Sequence, residues 1–144
     1  MRNLVVVLGD QLDPAGSALE GFDAGRDALW MAEVAEESEH VWSHRARIAL
    51  FLSAMRHFRD EQRAAGREVH YRELGGHEAR RLDEALAADL RRLEPERVVV
   101  VRPGDWRVAT ALKEAAKAAS VPLEERDDGH FLCSVEDFAG WAEG

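Results

Sequence analysis

Two stretches decide the fold: Leu4-Val5-Val6-Val7-Leu8-Gly9-Asp10-Gln11 and Val98-Val99-Val100-Val101-Arg102-Pro103-Gly104-Asp105-Trp106. Each is an unbroken apolar run that stops at turn-forming residues. A strand with one wet face alternates apolar and polar side chains. A strand covered on both faces does not, and such strands lie at the centre of parallel sheets. Ala28-Leu29-Trp30-Met31-Ala32 is a third run of this kind. Val69-His70-Tyr71 alternates and suits a strand nearer an edge. Val121-Pro122-Leu123-Glu124 is short and carries a proline, as edge strands do.

Helical patterns fill the intervals. Ile48, Phe51, Leu52, Met55 and Phe58 recur at spacings of three and four and form one apolar stripe. Arg45, Ser53, Arg56 and Arg59 fall on the opposite face, and Gly66 marks the stop. A second helix is predicted from about Glu78 to Leu93, with Leu82, Leu86, Leu90 and Leu93 inward and Pro95 beyond it. A third runs from near Asp105 to about Ala119 with Leu112 inward. A short last helix follows Ser134, an N-cap with Asp137 three residues on. The alternation of strand and helix predicts an α/β fold. It is a doubly wound, five-stranded parallel sheet of the Rossmann/flavodoxin-like kind, in three layers with right-handed crossovers. The two most apolar runs belong at the centre, which gives the strand order 3-2-1-4-5. The topological switch then lies between the first and fourth strands, and ligands of such sheets bind there, outside the carboxyl ends of the strands. The expected site is Gly9, Asp10 and Gln11 opposite Arg102-Pro103-Gly104-Asp105-Trp106, flanked by Glu33 at the end of the second strand.

The chain has 144 residues, enough for one domain. Apolar residues make up 46% and charged residues 33%, which argues against disorder, collagen and coiled coil. No apolar run approaches the roughly 20 residues of a membrane span, and the lead into the first strand is too short for a signal peptide. The net charge of −9 opposes a phosphate-backbone grip by this segment. A single cysteine, Cys133, excludes an internal disulfide and a cysteine metal cluster, and a reducing, cytoplasmic compartment is expected.

Catalytic patterns are absent. Neither phosphate-binding glycine motif occurs, and Gly75-Gly76 reads as a turn. Asp10 lacks the acidic neighbour and the lysine of a phosphoacceptor site; it either caps loop amides or bonds a ligand at the switch. Glu33, Glu36, Glu37 and Glu39 form an acidic run, mostly a solvated face. Glu33 and Glu37 stand nearest the crevice and could accept from a ring N–H or a sugar hydroxyl. His40, Trp42 and His44 fall short of the converging ligands zinc requires. Stacking of His40 or Trp42 on a flat ligand, or burial of Trp42 as core or interface, both remain open. No serine sits in a nucleophile elbow, and Cys133 reads as a buried or idle thiol. The residues describe a ligand-binding α/β domain without visible catalytic machinery.

The opening Leu4–Leu12 string resembles that of the deoxyribodipyrimidine photolyase-related proteins, the iron–sulfur bacterial cryptochromes and prokaryotic (6-4) photolyases. Glu33-Val34 with Glu37-Ser38, the helix from His44 to Phe58, Pro103-Gly104-Asp105-Trp106-Arg107 and Phe131-Leu132-Cys133-Ser134 are similar to further segments of that family, in the same order. The resemblance implies a single antenna domain spanning 1–144, a fragment of a longer protein. The missing part is a carboxyl-terminal helical region that carries FAD, a 4Fe-4S cluster and the DNA surface; one cysteine could not hold such a cluster here. The implied ligand of the present domain is 6,7-dimethyl-8-ribityllumazine, which passes excitation to the flavin for light-driven DNA repair or photoreception. Gly9 and Asp10 would line the crevice, Glu33 and Glu37 would bond the ring or ribityl chain, and His40 would lie beside it. Phe51, or Trp30, would stack on the lumazine or fill its space. The chain alone would not be an enzyme, whereas the whole protein would be a photolyase-type lyase or a cryptochrome. Its partners would be its own helical domain, the chromophore and, through the whole protein, DNA, with no membrane. Two other readings stand beside this one: a stand-alone nucleotide- or flavin-binding domain, and a structural docking module with an empty or filled crevice.

Overall fold

A computed structural model describes residues 1–36 and 44–143. Five parallel strands form one sheet in the order β3-β2-β1-β4-β5: β1 (Asn3–Val6), β2 (Ala28–Ala32), β3 (Glu68–Arg72), β4 (Arg97–Val101) and β5 (Leu123–Arg126). Four helices are described: α1 (Arg45–Ala64), α2 (Leu82–Leu93), α3 (Trp106–Ala118) and α4 (Val135–Ala142). The predicted α/β three-layer fold and strand order are therefore what the chain adopts. In register, Leu4 stands between Ala28 and Val98, and Val6 between Trp30 and Val100.

The period of two along each strand sorts side chains into two cores. On one face Leu4, Val6, Trp30, Val98 and Val100 pack under α2 and α3, where Leu86, Leu90 and Leu112 point inward. On the other, Val5, Leu29, Met31 and Val99 pack under α1, through Met55 and Phe58, and under a short 3-10 turn at Ser17–Leu19. Each of these fully buried aliphatic side chains contributes roughly 1.5–3 kcal/mol of burial free energy before entropy is counted.

Three sequence expectations shift. Regular β1 pairing ends at Val6 instead of Leu8, although Val7 and Leu8 stay buried. The second helix starts at Leu82, not Glu78. Gly75, with φ +83°, makes the turn that only glycine adopts readily, and the Glu84 carboxylate accepts the N–H groups of Arg80 and Arg81 at the helix entrance. Arg56 and Arg59, assigned to the solvent face of α1, instead reach across to Glu33 and Tyr71.

Candidate functional site

β1 and β4 are neighbours in the sheet, and the segments that follow their carboxyl ends meet through Gln11, as the switch rule expects. Gln11 spans the gap. Its Nε2 donates to the carbonyls of Val101 (3.4 Å) and Arg102 (3.3 Å). Two carbonyls accept only, so they fix which end of the amide faces them. Oε1 therefore points the other way, buried and without a hydrogen-bond partner among the described residues. Asp10 is exposed and its carboxylate makes no hydrogen bond among the described residues, so it does not cap the loop.

Gly9 serves close approach. A Cβ there would land on the Phe51 ring and 2.9 Å from the Met55 sulfur. The Phe51 ring thus lies on the Gly9 backbone while remaining 39% exposed, a flat apolar surface at the mouth of the switch. Trp106 opens α3 and is exposed; Gly104 precedes it in open space. Asp105 caps that helix by accepting the Arg107 N–H at 2.9 Å. Trp30 lies on the other side of the sheet. It is fully buried, and its indole N–H donates to Asp89 at 2.8 Å. It is core, and Phe51 alone of the two aromatics reaches the switch.

Glu33 is placed at the strand end as expected, but its carboxylate is engaged within the protein. Oε1 accepts from Arg56 Nε (2.7 Å) and the Tyr71 hydroxyl (2.6 Å); Oε2 accepts from Arg56 Nη2 (2.8 Å) and the Leu74 N–H (2.9 Å). These four bonds fill the usual lone-pair directions of a carboxylate. Burial alone would push this carboxyl up; the bonds from Arg56, Tyr71 and Leu74, with the Arg56 charge, prevail and hold it at about 2. The same network pushes the Tyr71 phenol well up, through burial and its bond to Glu33. The His77 Nε2 bonds the Glu33 carbonyl at 2.9 Å. Glu33 thus ties the end of β2 to α1, β3 and the loop after β3, and so sets where α1 carries Phe51.

Glu37 and His40, the other two expected ligand residues, lie outside the described residues, as does Trp42. His44 lies within them and is the N-cap of α1, accepting the Ala46 N–H at 3.2 Å through Nδ1. Cys133 is exposed, not buried. Among the described residues no three His, Cys, Asp or Glu side chains converge on a metal position, and no helix is long and apolar enough to cross a membrane. Sequence reasoning missed Arg56 and Tyr71 as partners of Glu33. The one available signal was charge: a glutamate after a buried strand needs a cation, and Arg56 follows directly on Met55 of the inward stripe.

The doubly wound sheet, with a buried unpartnered acceptor and a flat apolar face near its switch, defines a three-layer α/β domain. Comparison with known proteins narrows the class. The chain belongs to the deoxyribodipyrimidine photo-lyase-related protein family, which it matches over residues 5–144. It is also 37% identical to a (6-4) photolyase from Agrobacterium fabrum, over an alignment of 153 positions. That alignment covers all of this chain and 29% of the relative, so the chain spans less than a third of its relative's length.

Proposed function

We propose that the chain is the light-harvesting domain of a photolyase-related protein, and that the switch between β1 and β4 receives a lumazine of the 6,7-dimethyl-8-ribityllumazine type. The observation that carries this reading is the orphaned Gln11 Oε1 at the predicted crevice. A buried acceptor without a donor costs about 1–3 kcal/mol, and a pyrimidinedione ring offers an N–H to it. The donor set fits in other respects. The Phe51 ring supplies a face for a flat heterocycle, Asp10 supplies acceptors for ribityl hydroxyls, and Gly104 leaves the backbone open to approach. Glu37 and His40 would close the site from the segment after β2, and Trp106 would flank it from α3. When bound, the lumazine absorbs near-ultraviolet and blue light. The chain's own work is to bind it, orient it and keep water off its ring.

The acceptor of that excitation would be FAD in the remainder of the longer protein, which would also carry the 4Fe-4S cluster and the DNA surface. The whole protein would act as a DNA photolyase-type lyase or as a cryptochrome. Family membership and the name of the relative support light-driven DNA repair as the setting. The apolar side chains of Phe131, Leu132, Val135, Phe138 and Trp141, all well exposed, suit a face that meets the rest of such a protein. One observation favours a second reading: the Phe51 ring already covers Gly9, as a docking module with a filled crevice would require. Expression alongside a supply of lumazine, followed by mass spectrometry of released small molecules, separates the two. A stoichiometric lumazine supports the antenna. Release of flavin instead, or of nothing, contradicts it.

A further inference from the structure

A cleft of about 400 Å³ runs along the free edge of β3. It is built on different residues from the switch. Arg63 reaches it from the last turn of α1, His70 and Arg72 from β3, His77 from the following loop and Arg92 from α2. The charges in its wall do not cancel. Asp89, only 1% exposed, accepts from Arg72 (2.6 and 2.9 Å), from Arg92 (2.9 and 3.2 Å) and from the Trp30 indole. One carboxylate therefore serves two guanidiniums. The other acid of the wall, Glu73, is paired with Arg59 at 2.5 Å. Arg63 gives one N–H to the Val69 carbonyl at 3.1 Å and has no carboxylate within ion-pair distance among the described residues. The Nη1 groups of Arg72 and Arg92 have no protein partner among those residues. The wider sequence shows the same bias. Nine of the 19 basic residues fall between Arg56 and Arg92 against eight acidic ones, so this stretch carries +1 in a chain of −9.

Unsatisfied atoms collect in the same place. Three buried side-chain nitrogen or oxygen atoms lack a partner among the described residues, and two of them, His70 Nε2 and His77 Nδ1, belong to this cleft. Glu68 Oε1 stands 3.1 Å from His70 Nε2 without the alignment of a hydrogen bond. The His77 Nε2 faces the Glu33 carbonyl, which only accepts, so that nitrogen carries the proton and the neutral ring's Nδ1 is a bare acceptor. Buried polar groups are normally satisfied, and exceptions call for a ligand or water.

We propose that this cleft binds a phosphorylated sugar, either free or as part of a mononucleotide. Guanidinium forks match phosphate oxygens in pairs, and the unpaired N–H groups of Arg63, Arg72 and Arg92 supply them here. His77 Nδ1 accepts from a sugar hydroxyl. The volume falls within the range of small-molecule sites and exceeds what a bare phosphate ion fills. This inference is independent of the lumazine reading, and its test uses neither that ligand nor those residues.

The test is a titration of the isotope-labelled chain with ribose 5-phosphate, AMP, inorganic phosphate and phosphate-free adenosine, followed by ¹H–¹⁵N resonances of the His70 and His77 rings and the Trp30 indole. Saturable shifts with ribose 5-phosphate or AMP are expected, and which of the two binds more tightly identifies the source. Affinity should fall about tenfold in Arg63→Gln, and likewise in Arg92→Gln, for loss of one charge-assisted pair. Arg63→Gln leaves the Asp89 cluster untouched, and an unchanged Trp30 indole resonance certifies the fold. No saturable shift with either ester up to about 10 mM overturns the proposal. Adenosine binding as well as AMP, inorganic phosphate binding as well as the esters, or Arg63→Gln and Arg92→Gln both without effect would overturn it too.

Discussion

Replacing Glu33 by Gln keeps the volume and removes the charge, and its cost can be worked from the contacts. One of the two oxygens becomes an NH₂ that faces two donors: either Arg56 Nε and the Tyr71 hydroxyl, or Arg56 Nη2 and the Leu74 N–H. The Glu33 side chain is fully buried, so solvent does not screen it, while Arg56 is 43% exposed and rehydrates when released. Removing one partner of a buried pair costs about 3–5 kcal/mol, and the rehydration of Arg56 places this case at the low end. The depressed carboxyl leads to the same size. A carboxyl held at about 2 instead of 4.5 contributes about 3 kcal/mol at neutral pH. Because the folded value is depressed, that contribution is full above the ordinary carboxyl range and is lost as pH falls toward 2. Urea unfolding of the two proteins at pH 7 should therefore differ by about 3 kcal/mol, with a Tm lower by about 6–12 °C in the variant. By pH 3 the gap should shrink to about half, since Glu33 is then protonated in the unfolded chain but still largely ionised in the folded one, so folding must release a proton. A gap under about 1 kcal/mol at pH 7, or one that stays constant from pH 7 to pH 3, would refute the reasoning.

Three further outcomes follow from the same geometry. Gly9→Ala forces a methyl onto the Phe51 ring and the Met55 sulfur and should cost about 1–3 kcal/mol; adding Phe51→Ala should return a large part of it, and denaturant midpoints of the two variants check this. Trp30→Phe leaves one Asp89 oxygen short of the indole N–H inside the core, so thermal unfolding should show a loss of about 1–3 kcal/mol. Phe138→Lys with Trp141→Lys alters side chains that are 58% and 77% exposed on a helix with no buried residue; stability should stay within about 0.5 kcal/mol, while sedimentation should show less self-association at high concentration.

The fold was legible because its information is local and one-dimensional. Leu4–Leu8 and Val98–Val101 announce central strands by lacking alternation, and Leu82, Leu86 and Leu90 announce the helix that covers them. Strand order follows from ranking those runs by apolarity. The switch, with Gly9, Gln11 and Gly104 beside it, follows from the order. What stayed hidden is pairwise and long-range. Helical periodicity assigns Arg56 and Arg59 to the outer face of α1, because a long side chain that reaches around the helix leaves no mark in the period. The Asp89 cluster joins β2, β3 and α2 through Trp30, Arg72 and Arg92, and nothing in the spacing of those residues pairs them. Gly9 was legible as a turn residue, but its tight packing under Phe51 depends on the angle at which α1 crosses the sheet. The mixed character of the chain follows from these networks. It is acidic overall, yet among the described residues each buried carboxylate, Asp27, Glu33 and Asp89, has recruited an arginine.

The most direct test of the antenna reading is a fluorescence titration of the chain with 6,7-dimethyl-8-ribityllumazine, with FMN as control. The account predicts saturable lumazine binding, a weaker response to FMN, loss of binding in Glu37→Ala and affinity about tenfold lower in Gln11→Leu, where the orphaned acceptor is gone. A folded chain that ignores the lumazine, or binds it equally well without the Gln11 amide, would contradict it.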